Sequence, residues 1–340
     1  MLETIWFIIW GVLWTVYFVL DGFDLGLGAL MPALAKTEEE KRTVYNSMGP
    51  FWDGNEVWLI TAGGVTFAAF PGTYAVMFST LYAPLLWLLF ALIFRGIAME
   101  YRGHMESERW RGFWDLVLSA ASFLPALLLG VAFANIFQGV PFDTRGVFHG
   151  SLLTLLNPYG LLGGVLFVLL FMVHGCLWLA ARSTGALRDR AAALAGRLWW
   201  ALAAAAVAFF AASWKATSLY ANYLAAPALF LIPAVAVAAL LATRFFLGQG
   251  RWWRAWTASA VTIAGAAFFG VAGLYPALYP SSLDPAATLT AFNSSSSPLT
   301  LKIMLGVALV LVPVVIAYQA WTYRTFAAGP AEAGGHEEGY

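Results

Sequence analysis

Nine stretches of this chain run for about twenty residues with hardly a charge, and they decide the solvent in which it folds. They fall near 5–31, 52–70, 76–97, 114–137, 158–181, 193–213, 222–247, 255–277 and 300–323. About 20 apolar residues is what a helix needs to cross the hydrocarbon core of a bilayer. Unbroken apolar runs, rather than ten-residue alternation, favour helices over a barrel. Of 340 residues, 61% are hydrophobic and 11% charged; a soluble domain carries about 25% charged residues. The expectation is an all-α polytopic membrane protein with nine transmembrane helices, a single transmembrane domain over 1–324, and a disordered cytoplasmic tail over 325–340. The first run lacks a basic leader and carries Glu3, so it reads as a retained span rather than a signal peptide.

The loops orient the chain. Of the 18 Lys and Arg residues, all but Arg145, Lys215 and Lys302 fall in alternate loops, after the first, third, fifth, seventh and ninth runs. Positive residues concentrate on the cytoplasmic side, which puts the N-terminus outside and the C-terminus inside. Trp110, Trp114, Trp199, Trp200, Trp252, Trp253, Trp256 and Trp321 cluster at the same inner ends, as headgroup anchors do. The long outer segment QGVPFDTRGVFHGSLLTLLNP has the reach to fold over the outer face, and the serine run before 298 can cap the last helix. Net charge is zero, so no basic field argues for nucleic acid.

Against this apolar background two acidic pairs stand out. Asp21 and Asp24 lie in the inner half of the first span; Asp53 and Glu56, with Asn55 between them, open the second. Each pair is spaced i, i+3 and shares one helix face. Arg95 and Glu100 end the third span on the same side. An ionisable group at membrane depth costs a few kcal/mol and normally faces a protein partner or a water-filled cavity. Carboxyl groups separated by neutral donors are what a proton relay needs, because burial disfavours the charged form of an acid. A cation site would use the same oxygens. The plainer alternative is that the acids pair with Arg95, Lys41 or Arg42 and lock helices together, and it weighs most for Asp21 and Glu56.

Other chemistry finds little footing. Four histidines are present, and His174 alone lies in a span, where a hydrogen-bonded core residue is the better reading than a haem ligand. Cys176 is single, which excludes an intrachain disulfide or multi-cysteine metal site. Lys302 snorkels. The pairs Gly63-Gly64, Gly163-Gly164 and Gly26/Gly28 read as close helix packing.

Several blocks resemble subunit II of the cytochrome bd-type quinol oxidases, the CydB family. They are LDGFDLGLG at 20–28, GPFWDGNEVWLITA at 49–62, FRGIAMEYR at 94–102, GVAFANIFQGVPF at 130–142, NPYGLLGGV at 157–165, PSS at 280–282 and SSSPLTLKIM at 295–304. The resemblance covers essentially the whole chain, least in the sixth and seventh spans. It implies a subunit of the bacterial cytoplasmic membrane, built as two four-helix bundles plus one helix. The implied partner is the haem-bearing subunit I of the CydA family, with a small single-span accessory subunit in some relatives. Together they reduce dioxygen to water with electrons from quinol. Haem b and haem d, or a b-type substitute, would be ligated by subunit I, with no cofactor or metal held by this chain. Some relatives carry a structural quinone in this subunit, and the sequence leaves open whether this one does. The family's proton-uptake role would fall on Asp24 and Asp53, with Asp21, Asn55, Glu56, Arg95 and Glu100 in support. Trp58 would mark a hydrophobic route for oxygen. The alternative kept beside this reading is a secondary transporter or ion channel using Asp24 and Asp53 as a coupling site; a scaffold with purely structural acids is the third.

Overall fold

α1 (Leu2–Leu34) runs through the middle of the computed structural model, which describes residues 1–326. A short amphipathic helix follows, α2 (Glu38–Met48), opened by a capping box in which the Thr37 hydroxyl accepts from the Glu40 N–H and Glu40 reaches back to Thr37. Next come α3 (Trp52–Ala69), α4 (Pro71–Thr80), α5 (Tyr82–Tyr101), α6 (Glu108–Gln138), one-turn α7 (Leu152–Leu155) and α8 (Pro158–Arg182). The second half has α9 (Gly185–Ala216), α10 (Tyr220–Ala225), α11 (Leu231–Gly248), α12 (Trp252–Leu274) and α13 (Pro298–Phe326), with a small antiparallel pair, β1 (Ala277–Tyr279) and β2 (Leu289–Thr290), before the last helix.

Eight helices among the described residues are long and apolar enough to cross a membrane: α1, α5 with its 3-10 extension, α6, α8, α9, α11 with its 3-10 lead-in, α12 and α13. The expected second span is a helix, but α3 has only 18 residues and spends its first turns on Asp53, Asn55 and Glu56, so it is not one of the eight. The expected third span, 76–97, is divided between α4 and α5. Pro71 starts α4 and Pro84 sits in the first turn of α5, where a missing N–H costs least. Likewise 222–247 is broken at Pro227, which separates α10 from α11. The tail expected over 325–340 lies, beyond Phe326, outside the described residues.

α1 packs against α3 and α6, and α6 against α5; α8 packs against α9 and α12, and α11 against α12 and α9; α1 and α6 press on α8 to join the two groups. Glycine makes the join possible. A side chain at Gly26 would meet the Phe171 carbonyl on α8, and one at Gly130 would meet the Gly163 backbone, so these backbones approach closely. Gly63 and Gly64 depart from the packing expected of them. Nothing lies within 4 Å of a β-carbon built on either, and both line an apolar cavity of about 620 Å³ with Trp10, Trp14 and Leu129.

The far end of the bundle is closed by the two long loops. Val140 bridges to Ser281 and Phe142 to Phe148, the Phe142 and Tyr279 rings stack at 5.3 Å, and the Ser281 hydroxyl donates to the Phe142 carbonyl at 2.6 Å. Ser297 accepts from the Thr300 N–H at the start of α13, the serine cap expected there. α13 itself touches little: Leu301 is its buried residue, and the Trp6 indole donates to the Leu301 carbonyl at 3.1 Å.

Candidate functional site

The C-terminal half of α1, the first turns of α3 and the last turns of α5 meet around one guanidinium. Arg95, 1% exposed, donates through Nη1 to Asp21 at 2.8 Å and to Glu56 at 2.9 Å, and its Nη2 stands 3.9 Å from Asp24. Asp21 and Asp24 are completely buried, whereas the Glu56 side chain retains 21% exposure. Asp24 is held by a different partner: Asn55 Nδ2 donates to Asp24 Oδ2 at 2.7 Å. Three carboxyl groups therefore share one cation, a balance a purely structural ion pair does not need.

Helical spacing explains the convergence. Asp21 and Asp24 lie on one face of α1, Asn55 and Glu56 enter from the first turns of α3, and Arg95 reaches in from the last turns of α5. Of the other cations considered, Lys41 pairs with Asp115 at 2.8 Å and Arg42 with Glu38 at 3.9 Å, so neither joins the group.

Two expected members stand outside. Asp53 is exposed and folds back to accept from the Gly54 N–H at 2.6 Å; as the second residue of α3 it satisfies one of the free backbone N–H groups of the helix start. Glu100 is exposed near the end of α5, more than a turn beyond Arg95. Trp58 is 7% exposed and its indole donates to Gln319 Oε1 at 2.8 Å.

α13 contributes residues that the sequence alone did not single out. Tyr323 donates to Asn55 Oδ1 at 3.0 Å, and Gln319 Nε2 donates to the same oxygen at 3.4 Å. The signal for Gln319 was there, a lone amide inside an apolar helix whose C-terminal end meets the acid-bearing start of α3. Tyr17, one turn along α1 from Asp21, is buried beside them. Among the described residues, Tyr17 Oη, Asp21 Oδ2, Asp24 Oδ1 and Arg95 Nη2 have no hydrogen-bond partner.

A second charged group secures α2 across this end. Arg102 donates to Asp115 at 2.5 Å and to Glu38 at 2.9 Å, and lies 4.9 Å over the Tyr45 ring. Burial pushes the Glu38 carboxyl up, but the Arg102 guanidinium outweighs it and holds the acid below its ordinary range. Glu40, pulled the same way against its partial burial, is bound by Arg190 on α9.

His174 is buried with both ring nitrogens engaged. Nε2 donates to the Val19 carbonyl at 3.1 Å, which leaves Nδ1 to accept from Ser259 at 2.5 Å. Neither nitrogen is offered to an axial position of a haem. Cys176 is buried and free.

The family model for cytochrome bd terminal oxidase subunit II matches residues 2–326. The chain is 38% identical to the probable cytochrome oxidase subunit 2 of Haemophilus influenzae, covering 95% of this chain and 93% of that protein. It is likewise 38% identical to the cytochrome bd-I ubiquinol oxidase subunit 2 of Escherichia coli K12, with the same coverage, and 37% identical to the cytochrome bd ubiquinol oxidase subunit 2 of Bacillus subtilis, over 96% of each. Its fold is similar to a chain in the structure of bd oxidase from Geobacillus thermodenitrificans, with a TM-score of 0.77 at 18% identity over 96% of this chain and 98% of that one. The chain belongs to the cytochrome bd terminal oxidase subunit II family and is one subunit of a terminal oxidase, an oxidoreductase complex.

Proposed function

We propose that this chain completes a quinol:dioxygen oxidoreductase of the bacterial cytoplasmic membrane and conducts protons from the cytoplasmic side toward the oxygen-reducing centre. In this reading subunit I is the partner and carries the haems, electrons pass from quinol to oxygen there, and this chain handles protons. α3 supplies a ninth crossing beside the eight apolar helices, and the N-terminus lies outside. The transporter alternative has no support in a family assignment that spans residues 2–326.

The observation that carries the reading is a gradient of burial through linked groups. Asp53 stands in solvent at the mouth, Glu56 is 21% exposed, and Arg95 ties it to Asp21 and Asp24, which are fully buried. Protons collected at the rim would pass inward through Glu56 to the buried pair. An excess of carboxyl groups over cations inside a membrane is typical of proton pathways. The apolar cavity beside α3 has the lining for a lipid or isoprenoid chain, and it supports a route for oxygen along the same helix as Trp58.

The test is Asp24→Asn in the intact complex. Oxygen consumption with quinol should fall about a hundredfold, the lower range for loss of a proton-transfer group, while the reduced-minus-oxidised spectrum keeps its full haem bands. Wild-type turnover at full haem content would overturn the assignment.

A further inference from the structure

Trp58, Gln319, Asn55 and Asp24 form a chain of hydrogen bonds whose direction is set at one end. An indole nitrogen can only donate, so Gln319 must present its carbonyl oxygen to Trp58 at 2.8 Å. That turns the Gln319 amide nitrogen toward Asn55 Oδ1 at 3.4 Å, where the Tyr323 hydroxyl also points, at 3.0 Å. With two donors converging on its oxygen, Asn55 presents Nδ2 to Asp24 Oδ2 at 2.7 Å. An isolated amide can be turned over with little change in shape; here a flip would set N–H against N–H at the Gln319 contact.

We infer that Trp58, Gln319 and Tyr323 are positioning residues that lock the Asn55 amide in one orientation and so confine proton exchange at Asp24 to a single oxygen, Oδ1. Oδ2 is obliged to accept from Asn55 whatever the charge on the acid. Oδ1 is the oxygen without a hydrogen-bond partner, as are three neighbouring polar atoms of the cluster, Arg95 Nη2, Asp21 Oδ2 and Tyr17 Oη. Confining the proton to that side gives the transfer one geometry. α13 is placed to do this, because it is scarcely packed along its length and its inner end docks on α3 through these side chains. The inference rests on the proton-uptake reading above and gives Trp58 a role separate from any passage of oxygen.

Trp58→Phe keeps the ring and removes the donor; Gln319→Met keeps the length and removes both amide groups. Each is made in the whole complex, with haem content checked spectroscopically and turnover measured at saturating oxygen, where an oxygen route no longer limits the rate. Both variants should lose about tenfold in kcat with KM for quinol unchanged, the mark of a misplaced reacting group rather than weakened binding. The carboxyl stretch of Asp24 in redox-difference infrared spectra, identified as the band lost in Asp24→Asn, should shift in both, although neither residue touches Asp24. Wild-type kcat at full haem content overturns the inference, and so does an unmoved band. Where Asp24→Asn removes no band, the rates alone decide. Wild-type turnover in Asp24→Asn instead removes the proton-uptake reading itself, whereas a slow Asp24→Asn beside unaffected Trp58→Phe and Gln319→Met removes only the orientation.

Discussion

Arg95 Nη1 lies 2.8 Å from Asp21 Oδ1, with neither side chain more than 1% exposed. The same nitrogen holds Glu56 at 2.9 Å, so one side chain of α5 ties α1 to α3. Removing one member of a buried ion pair leaves an uncompensated charge and costs about 3–5 kcal/mol. Arg95→Leu should therefore impair assembly of the complex or lower its temperature of haem loss sharply. Arg95→Lys should recover little, because an ammonium lacks the planar fork and the five donors of guanidinium. Haem retention on heating the purified complex measures both. Wild-type thermal behaviour in Arg95→Leu would show that the acids hold together without it.

Glu56 and Asp53 share a helix face but not a role. Glu56 bonds to Arg95, and Asp53 bonds to its own neighbour's N–H in solvent. Glu56→Gln should lower quinol-driven oxygen uptake more than Asp53→Asn, since a mouth open to water admits protons without a dedicated collector. Steady-state rates of the two variants at equal haem content decide it; the reverse order would place the obligatory proton donor at the rim.

Much of this arrangement could be read from residue types alone. Acids and an arginine inside apolar runs announce themselves, and the loop charges place Asp21, Asp24, Asn55, Glu56 and Arg95 at one depth. Periodicity does not reveal which acid turns inward. Asp53 and Glu56 share a face by spacing, and their position along α3, nearly a turn apart, separates an exposed side chain at the helix start from one reaching Arg95. Gln319 and Tyr323 were harder to find because their partner, Asn55, lies more than 260 residues earlier. The breaks at Leu81, between α4 and α5, and at Pro227 escaped a hydropathy reading because the segments on either side are both apolar, so nothing in the average marks the turn.

Glycine substitutions should separate packing from mere presence. A β-carbon at Gly26 would overlap the Phe171 carbonyl of α8, and backbone cannot step aside as a side chain can. Gly26→Ala should cost at least the ~1–3 kcal/mol typical of overpacking, and it would push α1 away from α8 next to Asp24. Gly112→Ala on α6 meets nothing within 4 Å and should gain up to about 1 kcal/mol from helix propensity. Thermal melts of the two purified complexes check this; equal melting temperatures would mean that α1 and α8 are not closely apposed there.

The loop at the far end turns on one carboxylate. Asp143 accepts from His149 Nε2 at 3.1 Å, from the Val147 N–H at 3.0 Å and from the Arg145 N–H at 2.9 Å. The His149 contact, followed by these amides, holds its carboxyl well below the usual carboxylate range. A depressed pKa contributes order that is fully present above the unfolded value of about 3.9 and is lost as pH falls through the lower folded value. The loop should therefore stay closed across the neutral and mildly acidic range and loosen only in strong acid. Hydrogen exchange at the Val147 and Arg145 amides, corrected for intrinsic rates, should show unchanged protection from pH 7 to about pH 5, and Asp143→Ala should abolish it at every pH. Protection that fades between pH 7 and about pH 5 would mean that the Asp143 carboxylate does not govern the turn.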